Sequence, residues 1–525
     1  MIPSADAAQS SARFDAKGYE GRRPLLWSIV VLGAALRLNA LGAKSFWLDE
    51  IASVVIARMP GNSFWWWVWH DEGNMALYYV MLRPWLHIHL GEATVRLLSV
   101  LPGIASIPVM YLLGRRLFGV GAGLLAALFL AVSTCSVVYS QEARGYSWLL
   151  LGVITSTYLF ARLIARPTFA GACLYALAAG VTLYFHYFGL LVPLAHAASL
   201  LALPAGCRPW KLLTAAALMI AALAVPVLWM IHIQPIRHLD WVQKPSLLEL
   251  YHLGVFLAAE SGKAVGPVLL ALELGLIVMF FRVWFRVRKN QGPIPPNSNS
   301  DLDASQQASF SIEPYSKNAS GTCDNERVEL WPYALVASGL LTPVVFSLAA
   351  SVVRPLFFHR FLIICLPAWL LAITVGACAI RQRRIRVLAI AGVCLLSLTS
   401  TIISYSRVRE DWRGVANYLI AHASSQDRVV YYQGVGNFAA ESYRDWLPGG
   451  TSNRPTAVEV SSQSNDWLVK LAGARRIWLV EYPANINDGT SRSLGAELHS
   501  RYTVVAGQSF RAVTVTEFVP KNDGQ

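Results

Sequence analysis

Long uninterrupted blocks of apolar residues, each roughly 17 to 22 residues long, recur along most of the chain. A block of this length is what an α-helix needs to cross the apolar core of a bilayer. The pattern therefore predicts an all-α polytopic membrane bundle of about eleven transmembrane helices. The predicted spans lie at about residues 25–43, 95–113, 120–139, 148–165, 169–185, 188–205, 213–232, 264–284, 332–352, 361–380 and 387–404.

The polar segments between the spans differ in charge between the two sides of the predicted bundle. Arginine and lysine gather at one set of span ends, at Arg22, Arg23, Arg115, Arg116, Arg162, Arg166, Arg208, Lys211, 286–289 and 381–386. Because basic residues favour the cytoplasmic side, that side is predicted to be cytoplasmic, together with the N-terminal tail 1–24. The odd number of spans then places the C-terminal region outside. We expect a multi-pass protein of the cell inner membrane.

Three stretches outside the spans have distinct patterns. The first outer loop, 44–94, contains the aromatic run 64–69, which suits an interfacial helix at the level of the lipid headgroups. Residues 290–330 are rich in Ser, Asn, Pro and Gln and predict a disordered cytoplasmic linker. Residues 406–525 alternate short apolar strands with helical patterns, which predicts a small periplasmic α/β domain following a transmembrane domain of residues 25–405.

Composition agrees with a membrane protein. The 525 residues are 55% hydrophobic and only 14% charged, whereas soluble domains carry about a quarter charged residues. The formal charge of +13 lies in basic residues between the spans, so topology explains it and no nucleic-acid partner is expected. No glycine-rich phosphate loop opens a predicted helix, so a nucleotide-binding role is unsupported. Glu273 lies inside a span, where pairing between helices is the favoured interpretation.

A pair of acids directly follows the first span. Asp49 and Glu50 end the run Phe46–Glu50 at the start of the first outer loop. Two adjacent carboxyl groups beside an apolar helix end are costly unless they are solvated or used. Each also raises the proton affinity of the other, which suits a general base. The alternative is an ordinary solvated loop start.

Four further polar clusters lie at span ends on the predicted outer side. Each has a simpler interpretation, as a polar turn, a local ion pair, a hydrogen-bonded interfacial histidine or a pair of snorkelling arginines. Their convergence on one membrane face from distant segments predicts an active site at the membrane surface, with arginines suited to phosphate. The candidate residues are Asp71, Asn74, Tyr78, Tyr79, Gln141, Glu142, Arg144, Tyr146, His186, Tyr187, Arg354, His359 and Arg360.

These residues resemble a known family, the bacterial membrane glycosyltransferases of the GT-C superfamily that are related to protein O-mannosyltransferases (glycosyltransferase family 39). The resemblance is carried by Asp49 and Glu50, by 74–79 where relatives often read Asn-Pro-Pro-Leu-Tyr-Tyr, and by 95–99, 139–146, 354–367 and 410–413. Met75 and Ala76 depart from the usual Pro-Pro, and Phe361 replaces a tyrosine. The departure at 75–76 bears on the shape of the loop and on sugar preference.

The resemblance implies an activity. Family members take a sugar from a polyprenyl-phosphate donor, and the role of Asp49 would be that of catalytic base, with Glu50 as its neighbour. The acceptor hydroxyl would attack the anomeric carbon while lipid phosphate departs from the opposite face, so that one displacement inverts the centre. Arg144, Arg354, Arg360 and Arg413, with His186, would stabilise the leaving phosphate. No metal ion and no cofactor are expected, and the acceptor is a glycan, lipid or protein that the sequence does not name.

Two other classes of function compete with a transferase. A secondary transporter or lipid flippase would place ionisable residues near the bilayer midplane and show paired broken helices, whereas the acids here gather at span ends. A membrane-anchored scaffold would need far fewer spans than eleven. The pattern therefore favours the transferase.

Overall fold

The computed structural model describes residues 23–234, 242, 244–260, 264–289, 325–407, 409–432, 435–460, 467–471, 473–482 and 489–521. The helices are α1 (Arg23–Leu38), α2 (Leu48–Arg58), α3 (Gly61–His70), α4 (Ala76–Trp85), α5 (Glu92–Phe118), α6 (Val120–Val132), α7 (Thr134–Ser140), α8 (Tyr146–Ala165), α9 (Phe169–Leu183), α10 (Leu191–Ser199), α11 (Trp210–Ile233), α12 (Leu247–Ala259), α13 (Gly266–Lys289), α14 (Asn325–Val353), α15 (Leu366–Cys378), α16 (Arg383–Tyr405), α17 (Trp412–His422), α18 (Val435–Trp446), α19 (Trp467–Leu471) and α20 (Gly489–Arg501). The strands are β1 (Arg428–Tyr432), β2 (Thr456–Val460), β3 (Ile477–Glu481), β4 (Tyr502–Phe510) and β5 (Val513–Pro520).

The chain forms two compact units that interleave in sequence. The first unit comprises Met1–Asn39, Gly61–Met81 and Arg96–Tyr405, and the second comprises Ala40–Pro60, Leu82–Val95 and Ser406–Gln525. The first outer loop is therefore divided between the units, since α2 belongs to the second unit and α3 to the first. Of the predicted linker, 290–324 lies outside the described residues, while its last six residues belong to α14. The predicted N-terminal tail lies outside them up to residue 22.

The first unit is a bundle of apolar helices, as the sequence predicts, and the chain is a multi-pass membrane protein. Within the described ranges, 7 helices are long and apolar enough to cross a membrane, or up to 8 when the bent pair α6–α7 counts as one span. The number of about eleven predicted from the sequence is therefore too high by this criterion. The other three segments are helical but short: α1 has 16 residues, and Phe169–Leu183 and Tyr187–Ala202 also fall below spanning length.

A break between α6 and α7 turns the chain by 56° within the bundle. Helix ends leave backbone carbonyls without partners, which is costly away from water. The guanidinium of Arg37, fully buried on α1, donates to the carbonyls of Ala131 at 3.0 Å and Leu130 at 3.1 Å. On the other side of the break, the Ser133 side chain accepts from the Ser136 amide and caps α7. The sharp turn is thus held by side chains and not by backbone flexibility.

The intramembrane acid Glu273 pairs between helices, as predicted. Its Oε2 accepts a hydrogen bond of 2.7 Å from the indole Nε1 of Trp369, which joins α13 to α15. The same two helices approach closely at Gly376, where an added Cβ would lie 2.0 Å from the Leu276 carbonyl oxygen. Glycine therefore allows the contact that brings Glu273 and Trp369 together.

The second unit contains a five-stranded sheet of order β2-β1-β3-β5-β4. β1 is parallel to β2 and β3, and β5 runs antiparallel to β3 and β4. Interior strand β1 reads as a continuous apolar run because both of its faces are covered. Its Val430 packs with Leu479 of β3 and Leu498 of α20 in the core. The predicted small C-terminal α/β domain is confirmed.

Candidate functional site

Asp49 and Glu50 lie in the first turn of α2, in very different surroundings. Glu50 is fully buried, and its Oε2 accepts a hydrogen bond of 3.2 Å from the Trp47 amide, so this carboxylate caps the helix. Asp49 is half-buried and its backbone carbonyl accepts from Ser53 Oγ at 3.0 Å. Helix N-termini favour negative charge. Because the Glu50 carboxylate is engaged with the backbone, Asp49 is the better candidate for a base.

Two residues of the C-terminal segment lie near Asp49 within the second unit. The Tyr482 hydroxyl donates to Glu410 Oε1, and Ser45 Oγ donates to the Glu410 backbone carbonyl at 2.8 Å. Burial raises the pKa of Tyr482 above its ordinary value, and the Glu410 carboxylate and then the charge of Asp49 raise it further. Tyr482 therefore stays protonated as a hydroxyl donor. Local sequence patterns did not single out Tyr482, and Glu410 was noted only as part of the 410–413 resemblance.

Arg413, predicted as a phosphate-binding residue, makes contacts within the second unit. Its Nη1 lies 3.1 Å from Glu92 Oε1 in an ion pair, and its Nη2 donates to the Ala43 carbonyl at 3.3 Å. The same Glu92 oxygen accepts from the Tyr443 hydroxyl at 3.0 Å, and that hydroxyl accepts from the Phe46 amide. This network ties α5 and α17 to the segment that precedes α2, which is a structural role.

We expect Arg413→Met to lower stability and to leave donor binding unchanged. Removing a cation from a mostly buried carboxylate costs roughly 1–3 kcal/mol, which thermal unfolding of the purified variant measures. Arg501→Met is the matched control, because Arg501 pairs with Glu497 on the exposed surface of the same unit. Such exposed pairs contribute about 0.5 kcal/mol or less. A raised donor KM at normal stability would instead place Arg413 in the substrate site.

In the first unit, two hydrogen bonds connect the side chains of Arg144, Tyr79 and Glu72. Arg144 Nη1 donates to the Tyr79 hydroxyl at 3.3 Å, and that hydroxyl donates to Glu72 Oε2 at 3.5 Å. Tyr79 is fully buried, while Arg144 is half-buried just before α8. The structure therefore brings Tyr79 and Arg144 together, and it adds Glu72, the neighbour of the predicted Asp71. Asp71 itself follows α3, where its amide bonds to the Trp67 carbonyl.

Asn74 and Tyr187 fasten two loops to each other. The Asn74 side-chain oxygen accepts from the Tyr187 amide at 3.0 Å, and the Tyr187 hydroxyl donates to Gln234 at 2.8 Å. Gly73 makes this packing possible, because a Cβ there would lie 2.5 Å from the Tyr187 hydroxyl oxygen. Both predicted residues therefore hold the loops in place.

His186 is fully buried between α9 and the following 3₁₀ turn Tyr187–Leu190. Its Nδ1 accepts a hydrogen bond of 3.2 Å from the Phe188 amide, so the neutral ring carries its proton on Nε2. Within the part of the chain that the structure describes, Nε2 is buried and has no hydrogen-bond partner. Burial first, and the nearby charge of Arg144 second, lower the pKa of His186 to about 3. His186 is thus a neutral N–H donor.

This lowered pKa predicts a specific acid sensitivity. Between pH 6.5 and 3 the unfolded chain protonates this histidine while the folded protein does not, so stability falls as pH drops below about 6.5. At pH 5 the free energy of unfolding should be lower by about 2 kcal/mol than it is at neutral pH. His186→Phe keeps a flat ring without a titrating nitrogen, and its melting temperature should fall less between pH 7 and pH 5. Parallel decreases for both proteins would contradict the prediction.

A second group of predicted residues surrounds Tyr139 on α7. The charges of Arg360, Glu142 and Glu260 all act on the Tyr139 hydroxyl. Tyr139 packs edge-on against Tyr146 with ring centroids 4.9 Å apart. The guanidinium of Arg360 also lies over the Phe358 ring at 5.9 Å. One cation and two carboxylates therefore lie within electrostatic range of the Tyr139 hydroxyl, and Glu260 is a member that the sequence did not single out.

The remaining predicted residues are Tyr78, Gln141, Arg354 and His359. His359 starts the 3₁₀ helix His359–Cys365 and packs 5.1 Å from Phe256. The Tyr78 hydroxyl accepts from Ser99 Oγ at 3.3 Å, and Arg354 follows the end of α14. Gln141 Nε2 donates to the carbonyls of Arg37 at 3.0 Å and Asn39 at 2.8 Å. Gln141 therefore closes the C-terminal end of α1, a capping role.

Metal ligation has no obvious place in the described part of the chain. Among those residues, no three His, Cys, Asp or Glu side chains are grouped so that they could hold an ion. The expectation of a metal-independent protein stays a prediction.

Comparison with known proteins agrees with this architecture. Residues 77–230 match the family described as dolichyl-phosphate-mannose-protein mannosyltransferase. Among curated proteins, none matches the chain by sequence. A crystal structure of the Archaeoglobus fulgidus oligosaccharyltransferase in complex with Zn and sulfate superposes with a TM-score of 0.50 at 11% identity, over 87% of this chain and 67% of that one.

The ArnT protein from Cupriavidus metallidurans bound to undecaprenyl phosphate is also similar. Its TM-score is 0.48 at 14% identity, over 93% of this chain and 97% of that one. At 11% identity the likeness to the oligosaccharyltransferase concerns the fold. The resemblance predicted from the sequence is confirmed: the chain shares the fold of the Archaeoglobus fulgidus oligosaccharyltransferase, and its residues 77–230 match the dolichyl-phosphate-mannose-protein mannosyltransferase family.

Proposed function

We propose that the protein is a glycosyltransferase that moves a sugar from a polyprenyl-phosphate donor to an acceptor hydroxyl at the outer face of the cell inner membrane. The observation that carries the proposal is the family match over 77–230. That segment contains Tyr79, Arg144 and His186, which the structure groups around one polar chain and one neutral N–H donor. The donor class follows from the family's description, and the side chains fit it.

The reaction is a single displacement. Asp49 accepts the proton of the acceptor hydroxyl as the oxygen forms a bond to the anomeric carbon. The bond from that carbon to the phosphate oxygen breaks on the opposite face, and the phosphate leaves with the electron pair. One displacement inverts the anomeric configuration. Phosphate is a better leaving group than an alkoxide, so a general acid is not required.

The leaving phosphate gains negative charge in the transition state, and fixed cations stabilise it there. Arg144 and Arg360 are the proposed donors, with Arg354 as a further candidate. Guanidinium groups match phosphate oxygens in shape and charge. His186 adds a neutral N–H donor through Nε2. Such a donor suits a phosphate oxygen because the ring does not itself take up a proton.

Acceptor binding is assigned to Glu410 and Tyr482. Glu410 and the Tyr482 hydroxyl, which lie near Asp49, provide acceptor and donor groups suited to a hydroxyl-bearing molecule. A glycan, a lipid or a protein side chain can offer such a hydroxyl.

The N-terminus is assigned to the cytoplasm by the distribution of basic residues.

The decisive experiment supplies purified protein with a panel of radiolabelled polyprenyl-phosphate sugars and follows the release of lipid phosphate. Transfer predicts release from at least one donor, accelerated by an acceptor preparation from cell envelopes. A transporter or flippase would move donor across proteoliposomes without cleaving it. Movement without cleavage would refute the transferase and support that alternative.

A further inference from the structure

Gln234 directly follows α11, and both ends of its side-chain amide form hydrogen bonds. Its Nε2 donates to the backbone carbonyls of Val68 at 3.3 Å and Trp69 at 3.1 Å, at the C-terminal end of α3. Its Oε1 accepts from the Tyr187 hydroxyl at 2.8 Å. Because a carbonyl oxygen can only accept, this orientation of the amide satisfies all three partners. Gln234 therefore joins α3 and α11 to the turn Tyr187–Leu190.

The residue that precedes this turn is His186, whose ring depends on the turn for its position. Nδ1 of His186 accepts from the Phe188 amide at 3.2 Å, and that amide belongs to the turn itself. The turn is also attached through the Tyr187 amide, which donates to Asn74 at 3.0 Å. A displacement of the turn would therefore carry the buried Nε2 of His186 with it.

Helix α3, the other partner of Gln234, has the features of a helix at the lipid headgroups. Trp65 and Trp66 are exposed, whereas Phe64 and Val68 are buried. Indole rings favour the level of the headgroups, which is also where the phosphate of a membrane lipid lies. The depth expected for α3 therefore matches that of the phosphate to which His186 is proposed to donate.

We propose that Gln234 is a positioning residue for sugar transfer, which holds the His186 turn at the end of α3 and so aims the His186 N–H at the leaving phosphate. This inference rests on the proposed function, in which His186 is a donor to that phosphate. Gln234 acts through Tyr187 and not on the substrate. A donor displaced by about 1 Å can cost about a hundredfold in rate, so loss of this link should lower turnover.

Two substitutions break the link while keeping the size of the side chains. Gln234→Met removes both hydrogen-bonding groups, so kcat should fall by about 10- to 100-fold while the donor KM changes by less than about twofold. Tyr187→Phe removes only the hydroxyl that donates to Gln234. It should reproduce the fall in kcat and leave the bonds between Gln234 and α3 in place. The measurement is release of lipid phosphate from the polyprenyl-phosphate sugar that the wild type uses fastest.

Thr168→Val is the matched control, because it weakens the helix that leads to His186 at its opposite end. The Thr168 hydroxyl accepts from the Gly171 amide at 3.0 Å and caps the start of α9. Its loss should lower the melting temperature and leave kcat normal. A fall in kcat for this variant as large as that for Gln234→Met would make the effect one of general stability and overturn the inference.

A double-mutant cycle separates positioning from other roles. In the His186→Phe background the N–H donor is absent, so adding Gln234→Met should change the remaining kcat by less than about twofold. Normal turnover of Tyr187→Phe, or an undiminished effect of Gln234→Met beside His186→Phe, overturns the inference. Where Gln234→Met does not fold, Tyr187→Phe takes its place in the cycle. A wild type that releases lipid phosphate from none of the donors overturns the proposed function instead.

Discussion

Replacing Asp49 by asparagine should reduce the turnover of sugar transfer by about 10²–10⁴-fold. The amide keeps the size of the carboxylate but does not accept the proton of the attacking hydroxyl at useful rates. Because only one half-buried side chain changes, folding and membrane insertion should remain normal. Release of lipid phosphate from the accepted donor measures the first effect, and thermal unfolding measures the second.

Glu50→Gln is the matched control for this prediction. Glu50 is adjacent in sequence but caps α2 through the Trp47 amide, so its replacement should reduce stability by about 1 kcal/mol and leave the chemical step in place. Near-normal transfer by Asp49→Asn would remove Asp49 as the base. Loss of chemistry in a stable Glu50→Gln variant would move that role to Glu50.

Arg360→Ala should reduce turnover on the donor by about 10²–10³-fold, comparable to removing one preorganised donor from a developing negative charge. Arg360→Lys, which retains the charge but loses the planar fork, should recover part of this loss. The measurement is donor KM and kcat with purified protein. Unchanged values of both for Arg360→Ala would exclude Arg360 from the phosphate side of the site.

The substitution also removes the contact between Arg360 and the Phe358 ring. A general disturbance of this region would lower the melting temperature of Arg360→Ala and Arg360→Lys alike. The catalytic interpretation requires that both variants melt near the wild type while differing in turnover.

Elements with strong local signals could be predicted from the sequence. The apolar blocks identified the helices of the bundle, and the alternation of short apolar strands with helical patterns in 406–525 identified the α/β domain. Strand β2 and helix α18 were missed, since Thr456–Val460 carries exposed polar positions and α18 has no long apolar run. The break after Val132 was also missed, because its cause is Arg37, far away in sequence.

The residues of the candidate site divide in the same way. Some stand out in the local sequence, and others are distinguished only by the folded structure. Asp49, Arg144 and His186 stand out as polar residues beside apolar spans, so their residue types alone attract attention. Glu260 and Tyr482 do not, because backbone strain and contacts formed only on folding distinguish them. Gln141 and Arg413 were predicted as ligands of substrate but contact carbonyls or a carboxylate of the protein itself. Residue type does not reveal which partner a polar group finds.

The hydrogen bonds between α1 and the α6–α7 break have a consequence for biogenesis. Arg37 needs the carbonyls of Leu130 and Ala131, and the end of α1 needs Gln141, all about a hundred residues later in the chain. An arginine without partners is costly within the bilayer. Helix α1 emerges from the ribosome before that segment, so we expect it to reach its buried position only once the later segment has arrived. We therefore expect insertion of α1 and of the α6–α7 pair to be cooperative.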